Sequence, residues 1–267
     1  MRILQTNQAY SLVGEKVVFS HSNVFFADED DTFLAQFPQQ TVPAEISRSF
    51  LHNITLIRKA SYRPAPPATA TILPTPGDFY VKRPDLMAAG SVDLASLVLR
   101  ELNVCETLKK HPHPNVATYH GCLVSEGLVT GLCFTRYPQT LAGKLNPDSL
   151  NKSEFMKMED FAAARKLAAE NCLAGIEAGI RHLHALNIVH NDLNPANIAM
   201  TEDGVPVNID FDSSSAPGAA LDGIKRTRGW YDRKDKVART DNDLKALLEL
   251  RVWLSGSSPE EYQFRDL

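Results

Sequence analysis

The chain has 267 residues and is 43% hydrophobic, enough for one two-lobed domain or two smaller ones with a sizeable core, which excludes wholesale disorder. A net charge of −4 provides no global basic field and argues against a nucleic-acid binder. No apolar run approaches the roughly 20 residues needed to span a bilayer, Met1 to Tyr10 lacks the order of a secretory signal, and Cys105, Cys122, Cys133 and Cys172 form no C-x-x-C pair, so they read as reduced thiols of a cytoplasmic or nuclear protein.

Residues 1–45 hold short apolar runs, Lys16–Phe19 and Asn23–Phe26, around polar turns and the acidic patch Asp28–Asp31, and read as strands or an irregular extension. Phe50–Arg58 reads as a strand. Pro64, Pro66, Pro67, Pro74 and Pro76 then remove amide donors and fix φ, so this stretch is a loop or linker. Phe79–Lys82 is a short strand. From Ser91 to Lys110 the three- and four-residue steps of Leu94, Leu97, Val98, Glu101, Leu102, Cys105 and Leu108 predict a helix, stopped by His111-Pro-His-Pro114. Val116–Val124 and Leu128–Tyr137 read as two strands around Glu126-Gly127. Ala162–Leu186 is the longest predicted helix, with the stripe Leu173, Ile176, Ile180 and Leu183. Asn197–Thr201 and Val205–Ile209 read as a hairpin around Glu202-Asp-Gly204, and Asp241–Leu254 as a last helix. Strands come first and helices afterwards, which predicts an α+β chain with two lobes dividing near Tyr137-Pro138.

The strongest chemical signal is His190-Asn-Asp-Leu-Asn-Pro-Ala-Asn197. An acid five residues before an amide, in a Pro-containing loop after a helix, can aim both side chains at one site. There Asp192 can take a proton from a hydroxyl, and the Asn197 carbonyl can ligate a hard cation such as Mg²⁺. The hairpin that follows would return Asp210, in Ile209-Asp-Phe-Asp212, beside Asn197. A carboxylate and an amide oxygen suit an ion that bridges phosphates and keeps its waters.

These motifs resemble the protein-kinase catalytic loop H-R-D-x-x-x-x-N and the D-F-G triplet, and their H-N-D and D-F-D variants look most like a set of fungal kinase-like proteins. The resemblance covers roughly residues 79–254. It implies a β-rich N-terminal lobe over 46–137 after an extension of 1–45, and a helical lobe over 138–267 truncated after its last helix. It further implies ATP and Mg²⁺ as cofactors and a protein as substrate, with Asp192 as base and with Asn197, Asp210 and the additional Asp212 as metal ligands. Tyr80-Val-Lys82 resembles V-A-I-K, so Lys82 would meet the nucleotide phosphates, with Glu101 as its partner and Glu106 as a rival. Phe134, Arg136 and Tyr137 fall where adenine would lie. His113-Pro-Asn-Val116 is similar to H-P-N-I, Thr227-Arg-Gly-Trp230 to the segment that closes an activation loop, and Asp243 to the aspartate opening the next helix.

The departures are specific. Asn191 replaces the catalytic-loop arginine, Asn194 stands where Ser/Thr kinases carry a lysine, Asp212 replaces glycine, and no G-x-G-x-x-G precedes Lys82. A phosphotransferase acting on Ser/Thr hydroxyls is the leading expectation. A small-molecule kinase and a non-catalytic binding scaffold remain as alternatives. His190 and Phe211 read as packed core, and the basic run from Lys225 to Lys236 as a solvated segment.

Overall fold

The computed structural model describes residues 1–14, 16–75, 77–88 and 93–264. Pro76 and Ser91, where the first long helix was expected to start, lie outside the described residues. Strands dominate the first half of the chain and helices the second, the expected α+β arrangement. The chain forms two compact units.

The first unit comprises Met1–Ala68, Arg83–Leu99 and Val124–Gly131. Its centre is an antiparallel meander of β1 (Arg2–Val13), β2 (Lys16–Asp28), β3 (Asp31–Phe37) and β4 (His52–Ile57), hydrogen-bonded in that order. The two short runs expected at Lys16–Phe19 and Asn23–Phe26 are therefore one strand. The polar Ser20-His-Ser22 between them does not break it, because ladder bonds use the backbone and pair Ala9 with His21 and Gln8 with Ser22. Alternation then sorts the side chains to two faces. Val24, Phe26, Ala35, Phe37 and Leu51 cluster together, while Phe25 packs with Tyr62, Leu86 and Leu94.

The second unit comprises Thr69–Lys82, Arg100–Leu123 and Leu132–Leu267. The remaining elements in chain order are β5 (Ile72–Leu73), β6 (Tyr80–Lys82), α1 (Leu94–Lys110), β7 (Tyr119–Ser125), β8 (Leu128–Phe134), β9 (Gln139–Thr140), α2 (Leu141–Leu145), α3 (Lys152–Lys157), α4 (Ala162–Ala185), β10 (Ile198–Met200), β11 (Pro206–Asn208) and α5 (Thr240–Ser255). One sheet runs β5-β7-β8-β6, so a two-residue strand survives inside the Pro-rich stretch. The β7–β8 turn uses positive φ at Glu126 and Gly127, as a two-residue hairpin connection requires. Neither α2 nor α3 was expected, because each is too short to show a period. Their sequence signals are caps: Thr140 accepts from Gly143 N, and Asn151 and Glu154 form a capping box.

Helix α4 buries Cys172, Ile176, Ile180 and Leu183, and packs on α5 and β11. Gly175 and Gly179 let its backbone approach Asn115 and the β10–β11 hairpin, whose Asn208 donates to Asn115 O at 2.8 Å and Ile176 O at 3.2 Å. Across the unit, buried Lys152 donates to Gly229 O at 2.6 Å and Phe264 O at 2.7 Å and pairs with buried Glu249 of α5. Among the described residues, no helix is long and apolar enough to cross a membrane.

A methyl group at Gly179 would overlap Asn208 Nδ2 and Asn115 O, two groups that are themselves tied into the ladder. Gly179→Ala is expected to destabilise the protein by about 2 kcal/mol despite the better helix propensity of alanine, read as a lower urea midpoint; an unchanged midpoint would contradict the close approach.

Candidate functional site

The segment 188–197 leaves α4 and is held almost entirely by buried polar groups. Asp243, at the start of α5 and 1% exposed, accepts the backbone N–H groups of His190 and Asn191, each at 2.8 Å, and faces His184 Nε2 at 2.8 Å. Asn191 adopts φ +64°, a left-handed conformation that asparagine tolerates better than most residues. Its amide donates to Val189 O, Ser213 O and Ser215 Oγ, tying the loop to the stretch after Asp212. His190 is fully buried, with Nε2 3.0 Å from Ile209 O and its ring edge-on to buried Phe211.

The hairpin β10–β11 then brings residue 210 back. Ile209 N donates to Asn197 O at 3.0 Å, so the residues before Asp210 are bonded directly to Asn197. Asp210 itself has φ +66°, a strained backbone of the kind that collects at functional sites.

Two groups of side chains result. In one, the Lys82 ammonium on β6 bonds Glu101 Oε1 at 2.7 Å, bonds Asp210 Oδ1, and lies 3.7 Å from Asp212 Oδ2. Of the two acids weighed on α1, it is Glu101 that meets Lys82. Glu106 instead accepts from Thr71 N, Thr71 Oγ1 and Tyr119 OH. Burial opposes the charge on Lys82, but Glu101, Asp210 and Asp212 outweigh it and hold the ammonium well above the usual lysine range. Burial pushes the Glu101 carboxyl up despite Lys82. Asp210 resists burial through Lys82, with smaller help from His190 and Lys225, and lies below the usual carboxylate range.

In the other group, Asn197 Nδ2 donates to Asp192 Oδ2 at 3.0 Å and to Asp192 O at 2.9 Å. Thr227 adds its N–H to Asp192 Oδ1 at 2.6 Å and its hydroxyl to Oδ2 at 3.0 Å. Burial raises the Asp192 pKa above the ordinary value, the Thr227 bonds pull it back, and the nearby Asp210 charge adds to the rise. Thr227 was not among the expected site residues, although its place in Thr227-Arg-Gly-Trp230 marked the segment that reaches the loop.

A cavity of about 310 Å³ opens beside Lys82 and Asp210, lined also by Ala117, Phe134, Tyr137 and Ala199. Arg136 lines it too and donates to Phe79 O at 3.1 Å. Ala117 and Ala199 were not anticipated; nothing in a lone alanine signals a pocket wall. All the expected site residues thus line this cavity or join one of the two groups. Among the described residues, no set of three or more His, Cys, Asp or Glu side chains is arranged to hold a metal ion.

No protein-family model matches the chain. Over 123 residues, 45% of this chain, it is 30% identical to the serine/threonine-protein kinase shk2 of Schizosaccharomyces pombe, and the match spans 18% of that protein. The chain is thus distantly similar to a serine/threonine-protein kinase over less than half of its own length and less than a fifth of the relative's.

Replacing Asp243 by alanine would leave two buried backbone N–H groups without their acceptor. At about 1–3 kcal/mol for each group, Asp243→Ala is expected to lower unfolding free energy by roughly 2–6 kcal/mol, with Asp243→Asn intermediate, as measured by urea titration.

Proposed function

We propose that this chain is an ATP- and Mg²⁺-dependent phosphotransferase of protein-kinase type, two-lobed in fold, which phosphorylates Ser/Thr hydroxyls of a protein substrate. The observation that carries the reading is the Lys82 ammonium held between Glu101 and Asp210, beside the pocket and the loop bearing Asp192 and Asn197. The likeness to a serine/threonine-protein kinase supports the protein substrate. Four buried cysteine thiols outside disulfides go with a reducing compartment, cytoplasm or nucleus.

Adenine would occupy the cavity against Phe134, Arg136 and Tyr137, whose volume falls at the low end for small-molecule sites. Lys82, steadied by Glu101, would fix the α- and β-phosphates. Asn197 spends its amide N–H groups on Asp192, which leaves its Oδ1 as an oxygen donor; together with the Asp210 and Asp212 carboxylates it would supply hard oxygens, the ligand chemistry that suits Mg²⁺ and not a softer metal. When bound there, the ion supplies charge neutralisation across the phosphates.

Asp192 would orient the acceptor hydroxyl and take its proton. The hydroxyl oxygen forms a bond to the γ-phosphorus while the bond to the β,γ-bridging oxygen breaks, its electron pair leaving with ADP. Burial makes Asp192 a stronger base than a solvated aspartate, and the bonds from Thr227 and Asn197 fix the direction of its oxygens. Positioning and charge stabilisation carry the rate.

One observation favours a second reading, a binding scaffold without transfer: Lys82 already faces three carboxylates, and Asp212 is one more than its neighbours require. Two measurements separate the readings. With labelled ATP and a generic acceptor protein, the wild type is expected to transfer phosphate and Asp192→Asn to lose at least about 100-fold in rate. In a thermal-shift scan, ATP with Mg²⁺ should raise the unfolding temperature of the wild type but not of Asp210→Asn. A shift without transfer overturns transfer to protein and leaves the scaffold or a small-molecule kinase; neither shift nor transfer at millimolar ATP overturns the nucleotide site.

A further inference from the structure

A nucleobase presents two flat faces, and stacking on an aromatic ring is the contact that suits them. The cavity beside Lys82 draws its walls from two sheets: Tyr80, Lys82 and Phe134 come from β5-β7-β8-β6, and Thr140 and Ala199 from the sheet of β9, β10 and β11. Ala117 and Ala199 add only methyl groups to it, which leaves width for a planar ring. No G-x-G-x-x-G stretch precedes Lys82, so some other group has to hold a base there.

Tyr80 is placed for it. Residues two apart on a strand share a face. Lys82 reaches Asp210, which also lines the cavity, so Tyr80, two residues earlier on β6, presents its side chain on the cavity side while Val81 faces away. The neighbouring rings are already tied. Phe79, just before the strand, stacks on His120 with centroids 4.1 Å apart. Phe134, opposite Tyr80 on β8, is buried against Tyr119 at 5.6 Å, and Tyr137 accepts the Thr118 N–H with its hydroxyl at 3.3 Å. Tyr80 is 50% exposed and, among the described residues, makes no hydrogen bond, ion pair or ring contact. A large ring thus stands half in water in the wall of a cavity, with its faces unspent.

We propose that Tyr80 stacks on the base of the nucleotide and so closes the slot that no glycine-rich stretch covers. The inference deepens the phosphotransferase reading and rests on it. Where the V-A-I-K pattern has its alanine, this chain has Tyr80, so the ring is a departure from that pattern and not a part of it. The contact acts on the base alone. It adds affinity through the ring face and leaves the phosphates to Lys82, so the hydroxyl of Tyr80 is dispensable and its ring is not.

The test is binding of ATP with Mg²⁺, by calorimetry, to the full chain and its Tyr80→Ala and Tyr80→Phe variants. A second probe, aminopurine riboside triphosphate, reports on the base directly, because stacking quenches its fluorescence. Tyr80→Ala should weaken ATP by about tenfold or more, and Tyr80→Phe should stay within about twofold of the wild type. At saturation the probe should emit more brightly on Tyr80→Ala than on the wild type. Unchanged ATP affinity in Tyr80→Ala, an equal loss in Tyr80→Phe, or unchanged probe emission overturns the assignment of Tyr80 while the nucleotide site stands. A wild type that binds neither ATP nor the probe overturns the phosphotransferase reading and this inference together.

Discussion

One buried carboxylate organises the chemistry-bearing loop. Asp243 accepts two consecutive backbone N–H groups, those of His190 and Asn191, which no regular ladder could serve because Asn191 has left-handed φ. A turn of that shape points successive amides in one direction, and a buried anion is the natural acceptor for them. Once the loop is held there, the spacing of Asp192, Asn194 and Asn197 sets their side chains on one side, and Asn191 and His190 carry the hold onward to Ser213, Ser215 and Ile209. Asp243 thus fastens the start of α5 to 188–197, and Asn191, His190 and the backbone bonds of Val189 and Ile209 fasten that loop to 209–215.

Charge balance is the second constraint. Glu101, Asp192, Asp210 and Asp212 bring four carboxylates to one region, where Lys82 pairs with Glu101 and Asp210 and lies 3.7 Å from Asp212. Burying carboxylates is costly unless each is paired or hydrogen-bonded. Glu101 and Asp210 meet that condition through Lys82, Asp192 through Thr227 and Asn197, and Asp212 through Ser213. On the phosphotransferase reading, a divalent ion on the carboxylates would offset the repulsion between the site and a nucleotide.

Much of this was legible without coordinates, for a physical reason in each case. The helices α1, α4 and α5 announced themselves because a helical period sustained over 17, 24 or 16 residues rises above chance. The hairpin after Asn197 was legible because Glu202-Asp-Gly204 can only turn, and Gly204 does adopt positive φ. By contrast, α2 and α3 carry no readable period, and β2 was split by three polar residues whose side chains do not decide backbone pairing. The first four strands were vague for the same reason: a meander is defined by register between strands, and register is not a local property.

Residue types and spacings in the chain were sufficient to nominate Asp192, Asn197 and Asp210 as one set, because an acid and an amide five apart, and an acid returned by a hairpin, are local geometry; Lys82 joined them only through the resemblance of Tyr80-Val-Lys82 to V-A-I-K. The sequence favoured Glu101 over Glu106 for Lys82, and tertiary structure settled it by bringing Lys82 to the one and Thr71 and Tyr119 to the other. Tertiary structure alone put Thr227 on both oxygens of Asp192. Those contacts join residues separated by tens of positions, and their partners are fixed by how the intervening segments pack, which no local pattern encodes.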